Sequence, residues 1–127
     1  MTWYTNTCIL RGVDKPLIWL ASSRSALREF PDDPRRIAGF QLRRVQQGLE
    51  PNDWKPMTAV GVGVKEIRIH TGLEHRVLYL AKFAEGIYVL HAFEKRTTKT
   101  SKRDTDLARE RFRALIENRR SKKLGER

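Results

Sequence analysis

The side chains of this sequence with the clearest chemical potential are basic ones that interrupt or follow apolar stretches. Arg68 lies between Ile67 and Ile69, and Arg76 begins the next apolar stretch, where it is expected to lie near Arg68 across a turn predicted at residues 71–72. An arginine fork binds two phosphate oxygens and keeps its proton. His91 lies inside the most apolar stretch, and its imidazole is the best general acid or base of the chain because it titrates near neutral pH. These residue types suit a phosphate-containing ligand, while a surface arginine and a core histidine are the simpler structural interpretations.

Further cations follow the last apolar stretch. Lys95, Arg96 and Lys99 alternate with threonines, a mixture that suits contact with phosphate groups and equally suits a solvated loop. From residue 95 onward there are 13 Lys and Arg against 5 Asp and Glu, so most of the formal net charge of +11 lies there. This excess favours a polyanionic partner, namely nucleic acid, an anionic membrane surface or an acidic protein. A membrane-surface helix is disfavoured, because a small domain needs the apolar face of that helix for its own core.

Length and composition limit the class of protein. With 127 residues, 39% of them hydrophobic, the chain is one domain that can bury a core. It has no apolar run long enough to span a membrane, and its single cysteine, Cys8, excludes an internal disulfide. The N-terminus lacks the features of a signal peptide. We therefore expect a cytoplasmic protein that does not associate with a membrane.

Hydrophobic periodicity predicts the elements that must position these side chains. Two helices that form an antiparallel hairpin are predicted within residues 22–48, the second with Asp33 as its N-cap. Alternating residues predict three strands in a meander, and the third, apolar on both faces, is expected at the centre of the sheet. A loop is predicted over residues 49–64, and Asp104 or Thr105 is expected to cap a final helix. The meander strands are predicted at 65–70, 75–82 and 87–93, with a further short strand at 16–20.

Together these elements predict an α+β fold. It consists of a small, twisted, mainly antiparallel sheet with the N-terminal helical hairpin on one face and a C-terminal helix. The other face of the sheet is expected to carry a charged groove. Residues 1–15 are expected to be an N-terminal extension or an edge strand around Cys8, residues 16–118 the folded domain, and residues 119–127 a basic, frayed tail.

Several local strings, taken in order, resemble one family of proteins. They are Leu49-Glu50-Pro51 with Asp53-Trp54-Lys55-Pro56-Met57, then the runs from Gly61 to Arg68, from Arg76 to Phe83 and from Val89 to Phe93, and finally Lys95-Arg96-Thr97-Thr98-Lys99-Thr100 followed by Asp104 and Leu107-Ala108. This ordered set resembles the RelE/ParE superfamily of bacterial toxins, in its HigB-like, phage-derived branch. The resemblance extends from Lys15 to Asn118.

The resemblance implies a RelE-like fold with a groove at the final strand and helix. Many relatives cut messenger RNA, often on the ribosome, and pair with a helix-turn-helix antitoxin of the HigA-like type. It therefore implies a type II toxin that is a metal-independent, ribosome-dependent mRNA endoribonuclease, with an antitoxin, mRNA and the ribosome as partners and no cofactor. The implied catalytic residues are Arg68, Arg76, His91, Lys95 and Arg96, and the implied RNA-binding residues are Lys65, Lys82, Lys99, Lys102 and Arg103.

Two departures from the family pattern leave the activity open. Many active relatives carry a tyrosine or histidine just after the last strand, whereas this sequence has threonines and a serine among residues 97–101. RNA cleavage without a metal needs a base, cations that stabilise the phosphorane and an acid, so the acid is unassigned. Glu66 is either a base or merely a salt-bridge partner, for instance of Arg68. The alternatives are a ParE-type inhibitor of DNA gyrase and a relative that binds nucleic acid or antitoxin without catalysis.

Overall fold

The structure is a computed structural model that describes residues 14–125. The expected strand around Cys8 lies outside the described residues, as do Glu126 and Arg127. In chain order the elements are β1 (Leu17–Trp19), α1 (Ser23–Arg28), α2 (Asp32–Gln46), β2 (Trp54–Pro56), β3 (Val64–His70), β4 (Glu74–Leu80), β5 (Ile87–Glu94) and α3 (Lys102–Gly125). This arrangement confirms the predicted α+β fold class.

The five strands form one sheet in the order β1-β5-β4-β3-β2. Strands β3, β4 and β5 form the predicted antiparallel meander, while β1 pairs in parallel with β5. Strand β5 lies inside the sheet between β1 and β4, as its two apolar faces predicted, while the exact middle of the five described strands is β4. The prediction of a loop over residues 49–64 is wrong at Trp54–Pro56, which pairs antiparallel with β3 but is too short to show an alternating pattern.

Helices α1 and α2 form the predicted hairpin and pack on one face of the sheet, here called the hairpin face. Helix α2 begins at Asp32, so Asp33 lies inside the first turn and not at the predicted N-cap. Pro34 is tolerated in this turn because the first N–H groups of a helix have no intrahelical acceptor. The core of the hairpin face is apolar along the sheet and includes Leu27, Ala38, Leu42, Ile67, Ile69, Val77, Tyr79 and Val89.

Helix α3 packs on the opposite face of the sheet, here called the α3 face, and its apolar contacts cover one end of it. Ala108 and Leu115 of the helix belong to the same buried cluster as Val64 and Leu80, which are register partners on β3 and β4. Toward the other end of these two strands the α3 face presents charged side chains. The expected charged groove is therefore confined to one half of this face.

The start of α3 is defined by Ser101. Its hydroxyl accepts a hydrogen bond from the backbone N–H of Asp104 over 3.1 Å and donates one to Asp104 Oδ2 over 2.8 Å. A serine in this position satisfies an N–H group that the helix itself leaves free. The helix therefore begins before the predicted caps, Asp104 and Thr105.

The end of α3 also differs from the expectation. The helix continues to Gly125, so residues 119–125, expected as part of a frayed tail, are helical. Arg119 anchors this part, since its guanidinium lies 3.6 Å from the ring centroid of Phe83 and pairs with Glu85. Within residues 14–125, no helix combines the length and the apolar character needed to cross a membrane.

Candidate functional site

Two arginines lie opposite each other on neighbouring strands. Arg68 of β3 and Arg76 of β4 are register partners, in agreement with the prediction that they approach each other across the turn. Ile67 and Ile69 belong to the core of the hairpin face, so by alternation Arg68 and its partner point to the α3 face. Like charges directly opposite each other destabilise a sheet. The pair therefore needs a compensating anion or a ligand that uses two cations.

The compensating anion is Glu66, two residues before Arg68 on the same face. Its side chain is 0% exposed, and Oε1 lies 3.7 Å from Nε of Arg76 and 3.9 Å from Nζ of Lys55. The hydroxyl of Thr100 donates to Oε2 over 3.5 Å. The ion pairs of Glu66 are thus with Arg76 and Lys55, and not with Arg68 as one interpretation of the sequence held.

Lys95 completes this group of side chains. It follows β5, where its backbone N–H donates to the carbonyl of Glu74 over 2.7 Å. Burial lowers the pKa of Lys95, and the charges of Arg76, Lys55 and Arg68 lower it further, against the opposing effect of Glu66. The ammonium therefore lies within electrostatic range of the other cations. We call the following set the cation cluster: Lys55, Arg68, Arg76 and Lys95 around Glu66.

Arg76 is held inside the cluster and is only 3% exposed. Its Nη1 donates to the backbone carbonyl of His75 and its Nη2 to Glu74 Oε1, each over 3.0 Å. Its Nε has no hydrogen-bond partner among the described residues. The charge of Arg76 therefore acts on a ligand through the protein, where the effective dielectric constant is lower than in water. Arg68, Lys95 and Lys55 are only half-buried and can reach a ligand directly.

His91 points to the same face from β5 and is enclosed. Its Nε2 lies 2.7 Å from Asp104 Oδ1, and its ring stacks on Phe93 with centroids 4.9 Å apart. Burial lowers the pKa of His91, and the hydrogen bond to Asp104 opposes this only in part. The ring is therefore neutral near pH 7 and fixed in place, which favours a structural role.

A cavity of about 190 Å³ lies beside the cation cluster, and Lys95 belongs to both. Arg96 also lines it, with a side chain that is 80% exposed and pairs with Glu94 over 3.2 Å. The remaining predicted cations of this region, Lys99, Lys102 and Arg103, are exposed in the segment that leads into α3. The cavity is lined by Phe93, Glu94, Lys95, Arg96, Thr97, Ser101 and Asp104.

Lys65 and Lys82, both predicted to bind RNA, lie away from the cation cluster. Lys65 alternates with Glu66, so it points to the opposite side of β3, where it pairs with Glu50 over 3.0 Å. Lys82 follows the far end of β4, roughly 20 Å along the strand from Arg76. The structure therefore brings neither lysine to the cluster.

Four residues in or beside the cluster carry no role in the sequence-based assignment, namely Asp53, Lys55, His70 and Glu74. Lys55 lies opposite Glu66 in a strand that is too short to predict. His70 and Glu74 flank the β3–β4 turn and are register partners, so the turn itself was the signal that could have paired them. Within residues 14–125, no group of three or more His, Cys, Asp or Glu side chains is arranged to hold a metal ion.

Residues 25–113, more than half of the chain, match the model of a family described as phage-derived protein Gp49-like (DUF891). The chain belongs to the Gp49-like family. Gp49-like proteins are RelE-like, toxin-like proteins of toxin–antitoxin contexts, and the matched range includes every member of the cation cluster. No curated protein matches the sequence of this Gp49-like chain.

Proposed function

We propose that this Gp49-like protein is the toxin of a type II toxin–antitoxin system, of the HigB-like kind, and that it cleaves messenger RNA on the ribosome without a metal ion. The observation that supports the proposal is the cation cluster. Arg68 lies directly opposite Arg76, with Lys95 within electrostatic range of both, where the apolar contacts of α3 end. Such a density of cations fits a phosphodiester backbone, which carries one negative charge per nucleotide.

Arg68 and Lys95 are the side chains that we assign to direct contact with the scissile phosphate. The 2′-hydroxyl gives its proton to water, its oxygen attacks phosphorus, and the bond from phosphorus to the 5′-oxygen breaks. Negative charge grows on the non-bridging oxygens during this step, and a guanidinium fork matches two of them. Arg76 adds a positive charge from inside the protein. This charge is already in place before the reaction, because the His75 carbonyl and Glu74 hold both terminal nitrogens of Arg76.

Lys95 is also the side chain that we assign to proton transfer. Its lowered pKa makes the ammonium a stronger acid, which favours protonation of the leaving 5′-oxygen. His91 acts less directly in this proposal: bound to Asp104 and stacked on Phe93, it holds β5 against the start of α3 beside the cavity. Arg96, exposed at the same cavity, is assigned to the RNA backbone.

The proposed partners are mRNA on the ribosome and a helix-turn-helix antitoxin of the HigA-like type. The exposed Lys99, Lys102 and Arg103 are assigned to RNA phosphates that flank the cleavage site. The net charge of +11 accelerates encounter with a polyanion such as RNA or with an acidic antitoxin.

A second function is favoured by the enclosure of two predicted catalytic side chains. His91 is 7% exposed and Arg76 is 3% exposed. The same geometry fits a protein that binds RNA through Arg68 and Lys95 without cutting it. The two functions differ in whether new RNA ends appear.

The test compares the wild type with Arg68→Ala in a translating extract, with Arg36→Ala as a matched control. Arg36 is an exposed arginine of α2 that pairs with Asp33, away from the cluster. New 5′ ends in mRNA are expected with the wild type and with Arg36→Ala. Arg68→Ala is expected to lower their yield by about 100-fold, as removal of one charge-stabilising donor does in other active sites.

Each outcome of this test has a distinct meaning. Absence of new ends with the wild type, or equal cleavage by Arg68→Ala, would contradict the nuclease proposal. RNA binding without new ends would support the non-catalytic alternative. Inhibition of supercoiling by gyrase with intact translation would support a ParE-type activity.

A further inference from the structure

A chain of contacts links the protein surface to Arg76. The imidazole of His70 lies between two carboxylates, with Nε2 2.8 Å from Asp53 Oδ2 and Nδ1 2.7 Å from Glu74 Oε1. The same Oε1 of Glu74 accepts a hydrogen bond from Nη2 of Arg76 over 3.0 Å. Nε of Arg76 in turn lies 3.7 Å from Glu66. Anions and cations therefore alternate from Asp53 to Glu66.

The turn between β3 and β4 assembles this chain of contacts. His70 and Glu74 are register partners at the turn, and the pair of Arg68 and Arg76 is the next pair on the same face. Asp53 joins from the residue before β2, where its backbone carbonyl accepts a hydrogen bond from the N–H of Arg68 over 2.9 Å. The arrangement thus draws on β3, β4 and the segment before β2, and the pairing of the strands maintains it.

The protonation state of His70 decides how many of these contacts exist. Both ring nitrogens face a carboxylate, and only the imidazolium carries a proton on each of them. The neutral ring donates to one carboxylate and turns a lone pair toward the other. Whenever the contact to Glu74 is the one lost, the carboxylate that holds Nη2 of Arg76 is no longer fixed.

We propose that His70 and Glu74 are positioning residues: the imidazolium of His70 fixes the Glu74 carboxylate, and this carboxylate fixes the direction of the Arg76 guanidinium. The inference rests on the proposed function, because the positioned charge is one that we assign to the RNA phosphate. It predicts that the affinity for RNA is highest while His70 is protonated.

Several charged groups surround Arg76 and determine where it turns when released. Glu66 and Arg68 face it from β3, Glu74 from its own strand, and Lys95 from the end of β5. Once Glu74 is no longer fixed, Glu66 is the carboxylate that remains next to the guanidinium of Arg76. Arg76 consequently moves toward Glu66, and less of its charge is directed at the ligand.

The surroundings of the three histidines shift their pKa values in different directions. The titration of His70 can therefore be distinguished from that of the other two. Hydrogen bonds to Glu74 and to Asp53 raise the pKa of His70. Burial lowers the pKa of His75 and of His91. Above about pH 6.5, the usual histidine value, the two buried histidines are therefore neutral, and of the three only His70 still loses a proton.

The test uses the full chain as wild type, His70→Asn and Glu74→Gln, with Asp33→Asn as a control on the exposed surface of α2. The first measurement follows the Nε–Hε resonance of Arg76 by NMR between about pH 6 and 9, a range that spans the raised histidine titration. In the wild type and in Asp33→Asn, this resonance is expected to shift together with the ring signals of His70. In His70→Asn and in Glu74→Gln the coupled shift is expected to disappear.

The second measurement is the affinity for a single-stranded oligonucleotide of 2′-deoxynucleotides. It resists cleavage because it lacks the attacking 2′-oxygen. Over the same pH range, affinity of the wild type is expected to fall about three- to tenfold, the size expected for one partly exposed charge-assisted hydrogen bond. Asp33→Asn should behave like the wild type. His70→Asn should bind at every pH as weakly as the wild type does at the alkaline end.

The outcomes separate this inference from the proposed function. An Arg76 resonance that ignores the titration of His70 would overturn the inference, whether or not the protein binds RNA. The same pH dependence of affinity in the wild type and in His70→Asn would also overturn it, because the titrating group would then be another one, such as Lys95. A wild type that binds no oligonucleotide, while Arg76 does follow His70, would support the inference and contradict instead the assignment of Arg68 and Lys95 to direct contact with free RNA.

Discussion

The two faces of the sheet share the same strands and differ in what covers them. On the hairpin face, α1 and α2 cover apolar side chains along β3, β4 and β5, while on the α3 face one helix covers one end and charged residues occupy the other. Side chains alternate along a strand, so Ile67 and Ile69 stabilise the fold while their neighbours Glu66 and Arg68 belong to the cation cluster. On β3, the apolar contacts of the hairpin face and the charges of the proposed site are thus assigned to alternate positions of one strand.

The largest expected effect lies on the hairpin face. Leu42→Ala should lower the free energy of unfolding by about 2–5 kcal/mol, because it leaves a cavity in the core where Leu42 is 2% exposed. The matched control is Phe40→Ala in the same helix, since Phe40 is 58% exposed and its loss should change stability by less than about 0.5 kcal/mol. Chemical denaturation of both variants measures the difference. Similar losses in the two variants would contradict the assignment of this face as the main core.

On the α3 face, the next largest effect is expected at Glu66. Glu66→Gln keeps the shape and removes the buried charge that pairs with Arg76 and Lys55, so it should lower the free energy of unfolding by about 1–3 kcal/mol. Glu94→Gln is the control, because Glu94 pairs with the largely exposed Arg96 and such pairs contribute little. Thermal unfolding of both variants tests this. A Glu66→Gln protein as stable as the wild type would show that the cluster does not need its anion.

A smaller effect is expected on the salt dependence of RNA binding, and it distinguishes the two ends of the sheet. Loss of one cation that contacts a phosphate of single-stranded RNA should reduce the slope of log K against log salt by about 0.7. We expect this reduction for Arg68→Ala and an unchanged slope for Lys82→Ala, because Lys82 lies beyond the far end of β4. Titrations at several salt concentrations provide the slopes. An equal reduction in both variants would mean that RNA extends along the whole strand.

The smallest effect is a pH dependence of stability to which both faces contribute. His75 is buried on the hairpin face against Phe30 and His91 on the α3 face, and burial lowers the pKa of each. The unfolded chain takes up protons on these residues near pH 6.5, before the folded chain does, so stability should fall as the pH is lowered through this range. Unfolding free energies measured from about pH 7 to 5 test the slope, and His75→Leu should flatten it. The same slope in the wild type and in His75→Leu would show that the His75 ring is not held neutral.

Most of the fold could be predicted from the sequence where a pattern is long enough to recognise. Strands β3, β4 and β5 have seven or eight residues each, enough for alternating or continuous apolar patterns. Strand β2 has three residues and ends in Pro56, so no periodicity could reveal it. The start of α3 was misplaced because Ser101 caps the helix ahead of Asp104.

The candidate site could be predicted only in part. The turn at residues 71–72 predicted that Arg68 and Arg76 approach each other, as they do. The burial of Glu66 could not be predicted, because its neighbours Lys55 and Thr100 come from segments that only the folded sheet brings together. Local charge pattern shows which side chains are cations, but not which of them the fold encloses.

The pairing of β1 with β5 has a consequence for the order of assembly during synthesis. Leu17 pairs with Ile87, so the first strand of the sheet waits until its partner has been translated. The cation cluster needs Lys95 and Thr100 as well, which leave the ribosome later still. A growing chain therefore remains without a finished cluster until these residues have emerged. If the ribosome is the target, this delay protects the ribosome that is synthesising the chain.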